Sequence, residues 1–233
     1  MLIDYIQSGS APLLSAFGGS VYMANVTVGG QTFDVVLDTG SSDAWLAGTG
    51  FSCYDIDSGA QLDESNCHFG STYNPSASST FVSIPNENFN VSYADGEILN
   101  GLVGYDTFTM GGITVTKQEF GVVNYAAWGG DYQSSGLVGL AYGSLTSAYP
   151  GNDASTDQRG DTLTYNPLFA SMYMDNLTAP VFSMAITRDP YGTGSGGVIA
   201  LGGLPNVAHS PTFVSAPIPV SYTHLTLPTN REV

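Results

Sequence analysis

The chain has 233 residues, 42% of them hydrophobic and only 10% charged. It is long enough for a well-buried core in one or two domains, yet far below the roughly 25% charge of an average protein. Four Lys and Arg against twenty Asp and Glu give a formal charge of −16; with no basic patch to neutralise phosphates, the composition argues against nucleic-acid binding. Gly (29) and Tyr (14) are abundant, and turn signals recur throughout, which predicts an all-β protein. The sequence pI of about 4.1 suits a protein that meets acid, because self-repulsion falls as pH approaches that value.

Residues 1–18 show few signals and read as a loosely held N-terminal segment, and Met1-Leu2-Ile3-Asp4 does not read as a signal peptide. Alternation predicts a strand over 21–28, a turn at Gly29-Gly30 and a returning strand over 31–37. The return runs as Phe33-Asp34-Val35-Val36-Leu37 straight into Asp38-Thr39-Gly40-Ser41-Ser42. Such an apolar run reads as a strand buried on both faces, so Asp38 sits where the chain leaves the core. A carboxylate flanked by hydroxyl and amide donors there is a candidate acid or base, although Asp, Gly and Ser also serve as plain turn residues.

Trp45 and Leu46 open another apolar segment, followed by a loop over 48–70 that holds both cysteines. That loop is rich in Gly, Ser and Asp and has no CxxC, so Cys53 and Cys67 read as a disulfide, worth about 3 kcal/mol in the chain-entropy model. A polar turn over 73–81 leads into a hairpin: 89–93 alternates, Asp95-Gly96 turns, and 97–103 returns. Strands are predicted at 105–110, 113–115 and 120–123, and Gly136-Leu137-Val138-Gly139-Leu140 reads as a buried run with close backbone approach at its glycines.

Residues 143–159 look loop-like. Asn166 as N-cap and Pro167 at the first helical position predict one short helix over 167–176. Strands are expected at 181–187 and 197–201, with 212–220 a further candidate; over 221–233 alternation and glycine turns stop, and that tail reads as non-native to the domain. No apolar run is long enough to span a membrane. Asn25, Asn90 and Asn176 each open an Asn-x-Ser/Thr triplet; with the cysteine pair they favour a secreted or vacuolar location.

Some signals carry little. Gly192 to Gly197 fits GxGxxG by letter but precedes a strand rather than opening a helix. His68, His209 and His224 lack metal-ligand spacing, so no metal is expected. There is no GxSxG elbow, and Arg159-Gly160-Asp161 reads as a chance tripeptide.

Three stretches together resemble the pepsin-like aspartic proteases, including their fungal members: the Asp38 to Leu46 run, Tyr93-Ala94-Asp95-Gly96, and Leu137-Val138-Gly139. The resemblance covers roughly residues 20–220. It implies an acid-protease fold of two β lobes: an N-terminal segment over 1–18, a complete catalytic lobe over 19–180, and an incomplete second lobe beginning over 181–220. It implies hydrolysis of peptide or protein substrates without a cofactor, by water activated between two carboxylates that share one proton.

Carried over by position, Asp38 is the catalytic carboxylate. Thr39 interlocks with the partner lobe, Gly40 places its amide near the pair, and Ser41 donates to Asp38. Tyr93 covers substrate and hydrogen-bonds Trp45, while Asp95 and Gly96 contact substrate backbone. Val36 and Leu137 line a pocket, with plain core packing an equal alternative for both. Ser134 and Ser135 depart from the acidic and aromatic residues often found before Gly136. No second Asp-Thr/Ser-Gly follows: Asp161, Asp175 and Asp189 lack the motif. The expectation is therefore an aspartic endopeptidase, monomeric when complete, of which this chain lacks the second catalytic Asp and most of the second lobe and is inactive alone. The alternatives are a single-lobe homodimeric protease and a non-catalytic protease-like binding protein.

Overall fold

The computed structural model describes residues 8–158, 160–190 and 192–217. The predicted tail over 221–233, His224, Arg159 and the first seven residues lie outside them. The described strands, in chain order, are β1 (Gly9–Ala16), β2 (Val21–Val28), β3 (Gln31–Asp38), β4 (Ala44–Tyr54), β5 (Gln61–Leu62), β6 (Val82–Ser92), β7 (Ile98–Met110), β8 (Ile113–Ala127), β9 (Gly136–Gly139), β10 (Ala148–Pro150), β11 (Phe182–Ile186) and β12 (Gly194–Leu201). Among the described residues there is one α-helix, α1 (Leu168–Met174), which packs against β8.

The strands join into one mixed sheet in the order β10-β6-β7-β8-β4-β9-β3-β2-β1-β12-β11, with β5 paired to β4 off this path, and β7 also pairs β2. That extra pairing, Thr27 with Thr109 and Val28 with Phe108, closes β2-β3-β9-β4-β8-β7 on itself. Period-2 alternation divides side chains between two cores. Val35, Leu46, Val122 and Val138 point into one, with Phe33, Tyr73, Phe108, Phe120 and the α1 residues Leu168, Phe169 and Met172. Trp45, Ala47, Val123 and Leu137 point into the other, with Phe51, Phe89, Leu99 and Tyr165. The strands around Asp38 are thus buried on both faces, as their β-branched runs predict.

Several boundaries differ from the sequence reading. Of the N-terminal segment, the described part is not loose: β1 pairs β12 and β2, with Leu13 4% exposed. Its signal is weak because Gly9, Ser10, Ala11 and Pro12 lack β-branched residues, and non-local pairing supplies the order instead. The separate strands predicted at 97–103 and 105–110 are one, β7, and those at 113–115 and 120–123 are one, β8. Within 143–159 lies the short β10. The helix begins after Pro167, which stands at the N-cap position itself; Asn166 makes no cap, and its carbonyl instead accepts from Gln118 Nε2 at 2.8 Å. Residues 212–217 form no strand.

Cys53 on β4 and Cys67 are disulfide-bonded across 14 residues, as the loop composition predicts. Asn25 and Asn176 are exposed. Asn90 is engaged: its Nδ2 donates to Asp157 Oδ2 at 2.9 Å and to the Ala154 carbonyl at 3.2 Å.

Candidate active site

β9 is inserted between β3 and β4, parallel to the first and antiparallel to the second. The chain leaving β3 at Asp38 must therefore loop over the end of β9 before entering β4. Side chains would forbid so close a passage. A Cβ on Gly136 would lie 2.0 Å from the Trp45 carbonyl oxygen, and one on Gly139 would lie 2.5 Å from that of Ser41. Three backbone bonds fasten the loop from below: Leu140 N–H to Asp38 O, Ala141 N–H to Ser41 O and Gly139 N–H to Asp43 O, at 2.8–2.9 Å. Ser42 Oγ donates to the Tyr142 carbonyl at 2.5 Å.

Asp38 is partly exposed at the end of β3, and its Oδ1 accepts the Gly40 N–H at 2.8 Å. Thr39 and Gly40 are exposed at the tip. Ser41 does not donate to Asp38: its Oγ is buried without a hydrogen-bond partner. The structure orients that hydroxyl inward, where the sequence alone shows only its proximity to Asp38.

Tyr93 sits in the hairpin between β6 and β7. Its N–H donates to the Glu97 carbonyl at 2.8 Å and its carbonyl accepts from Gly96 at 3.2 Å, with Gly96 alone of the turn residues at positive φ, +97°. The predicted Asp95-Gly96 turn is thus a three-residue loop closed by a left-handed glycine. The Tyr93 hydroxyl accepts from Trp45 Nε1 at 2.8 Å, the contact the resemblance implied. Burial pushes the phenol well above its ordinary range; the Trp45 bond opposes this, and the Asp43, Asp38 and Glu97 carboxylates add to it. Asp95 and Gly96 are exposed at the tip. Val36 is half-buried and Leu137 buried at 7% exposure, both against the core that holds Trp45.

Sequence reasoning missed four residues. Trp128 lies 5.2 Å from the Trp45 ring and 5.6 Å from that of Tyr93, making an aromatic wall with Phe69. Asp43 is 2% exposed, and its Oδ1 accepts the Tyr165 hydroxyl at 2.5 Å and the Ser147 N–H at 2.9 Å. Burial raises its carboxyl despite those bonds. Glu97 reaches out of the hairpin to Gly129. For Trp128 the signal was its rarity, one of two tryptophans; for Asp43, Tyr165 and Glu97 no local pattern distinguishes them.

Comparison with known proteins gives the family of the chain. A family model described as eukaryotic aspartyl protease matches residues 21–227. The chain belongs to that family. Among its relatives is a probable aspartic-type endopeptidase of Aspergillus fumigatus, 44% identical over 93% of this chain and 47% of its own length. Rhizopuspepsin-2 of Rhizopus niveus is 29% identical over 91% of this chain and 48% of its own, and secreted aspartic protease 3 of Candida albicans 30% over 84% and 44%. The crystal structure of an aspartic proteinase from Irpex lacteus superposes with a TM-score of 0.64 over 86% of this chain and 49% of that one, at 19% identity. That likeness establishes the pepsin-like fold. The chain spans about half the length of these aspartyl protease relatives. Among the described residues no helix is long and apolar enough to cross a membrane.

Proposed function

We propose that this chain carries one half of an acid endopeptidase site, with Asp38 one of two carboxylates that activate water against a peptide bond. The observation that supports it best is the Asp38 loop, held by backbone bonds over β9, with Tyr93 fixed on Trp45 beside it. Two facing carboxylates share one proton because like charges so close do not both ionise. The ionised member takes a proton from water as the oxygen attacks the carbonyl carbon, and the protonated member gives its proton to the carbonyl oxygen. Collapse of the resulting diol breaks the C–N bond, and the leaving nitrogen takes a proton from the pair. No covalent enzyme intermediate forms.

In this reading Thr39, exposed at the tip, meets the partner lobe, and Gly40 holds Asp38 in place. Tyr93, Asp95 and Gly96 form a flap over the substrate, with Val36 at the edge of its pocket. The partner is a second lobe, which supplies the other Asp-Thr/Ser-Gly that this sequence lacks. The outer strand β11, the residue before it and the segment after β12 expose Ile186, Val181 and Leu204 beside the sheet edge, the kind of surface such a lobe would cover. The disulfide suits secretion.

The test is a chimera in which this chain is continued by the remaining half of the Aspergillus fumigatus relative. It is expected to cleave an unfolded protein at acid pH; the 233-residue chain by itself is expected to release no peptides. Cleavage by the strictly monomeric chain alone would overturn the reading.

A further inference from the structure

Three Asn-x-Ser/Thr triplets stand in this chain, at Asn25, Asn90 and Asn176, and the fold treats them differently. N-linked glycosylation joins the Asn Nδ2 to the anomeric carbon of an oligosaccharide carried on a lipid diphosphate. The new C–N bond forms as the C–O bond to the diphosphate breaks. The diphosphate leaves with that bond's electron pair, and Nδ2 gives up one proton, so one N–H of the amide is left. A folded site admits the sugar when its amide needs no more than one N–H and has open space beside it.

Asn176 meets both conditions. It follows α1 at φ +58°. Its N–H donates to the Tyr173 carbonyl at 3.1 Å, and the Leu177 N–H donates to that of Met172 at 2.9 Å. These bonds make the left-handed cap that ends a helix, a place that Asn tolerates better than most side chains. The cap occupies only the backbone: the Asn176 side chain is exposed and, among the described residues, makes no hydrogen bond. Leu177 packs against the core and Thr178 is 2% exposed, so the turn is anchored from beneath. Asn25 meets the conditions too. It is exposed on β2 opposite Asp34 of β3, and its Nδ2 donates to Asp34 Oδ1. That bond uses one N–H and leaves the other for the sugar.

Asn90 fails on both counts. It is half-buried on β6. Its Nδ2 uses both N–H groups, on Asp157 Oδ2 at 2.9 Å and the Ala154 carbonyl at 3.2 Å, and its Oδ1 accepts from Asn100 Nδ2 at 2.7 Å. Asp157 is held in turn by the buried Asn88, whose Nδ2 donates to its Oδ1 at 3.1 Å. A sugar at Asn90 would take one of these N–H groups and push the loop over 151–157 off β6.

We infer that the folded protein carries N-linked oligosaccharide at Asn25 and Asn176 and none at Asn90. The hydroxyl residues of the two accepted triplets are Thr27, half-buried on its strand, and the buried Thr178. Transfer therefore comes before these segments fold, and a chain modified at Asn90 does not complete the fold. The inference rests on reading the chain as a secreted protein, so the test supplies the secretory route itself.

The 233-residue chain is expressed behind a cleavable leader in a fungal host and recovered from the medium. Amidase release of the sugars in heavy-oxygen water converts each occupied Asn to a labelled Asp, and peptide mapping by mass spectrometry reads all three positions. Label is expected at Asn25 and Asn176 and not at Asn90. Asn25→Gln and Asn176→Gln should each remove one oligosaccharide from the intact mass, and Asn90→Gln should remove none. Where the chain alone is not secreted, the same three positions are mapped in the chimera with the Aspergillus fumigatus second half. Label at Asn90 in the secreted protein, or its absence at Asn25 or Asn176, overturns the inference. None of these outcomes bears on Asp38.

Discussion

At the residue scale the decisive feature is how a carboxyl sits among its neighbours. Asp43 is five positions from Asp38 yet almost fully buried. Burial raises its carboxyl, so the folded form holds its proton more tightly than the unfolded chain. The sign follows: the penalty is absent below the ordinary carboxylate range and grows as pH rises above it. Asp43→Asn keeps an oxygen for Ser147 and Tyr165 and removes the buried charge. It should raise stability at pH 7 and change it little at pH 3. Denaturant melts at the two pH values check this; a loss at pH 7 contradicts it. Tyr165→Phe strips a donor from that carboxyl and should destabilise by about 1–3 kcal/mol, more at pH 7 than at pH 3. Asp38, by contrast, was legible, because an apolar run marks the strand that ends on it. What hid Asp43 is that its partners lie more than 100 residues away, beyond the reach of any local pattern.

At the element scale the site depends on β9 fitting between β3 and β4. Gly139→Ala would drive a methyl into the Ser41 and Ser42 backbone and should destabilise by about 2–4 kcal/mol; thermal unfolding measures it, and an unchanged midpoint would contradict the packing. The buried run and its glycines could be read from sequence, but its insertion between two other strands could not, since alternation says nothing of neighbours. The Asp95-Gly96 hairpin was legible for the same local reason that β1 was not: turn chemistry is written in adjacent residues, whereas β1 is ordered by β12, which lies far along the chain. The disulfide is the remaining local constraint. Cys53→Ser with Cys67→Ser should lower stability by about 3 kcal/mol, or about 6–12 °C in Tm, and calorimetry under non-reducing conditions reads that directly.

At the scale of the whole molecule, two cores on either face of one sheet hold the Asp38 loop, and the sheet ends among the described residues on β11, beside exposed apolar side chains. The family and its fold were legible because three short motifs fall in the right order. The aromatic wall and the buried Asp43 were not, because each joins elements distant in sequence. The account stands or falls on Asp38. Its most direct test is the initial rate at which the chimera with the Aspergillus fumigatus second half cleaves an unfolded protein at acid pH, with Asp38 intact and with Asp38→Asn. The account predicts a loss of at least about 10³-fold, within the range for a positioned acid–base group; equal rates for the two proteins would contradict it.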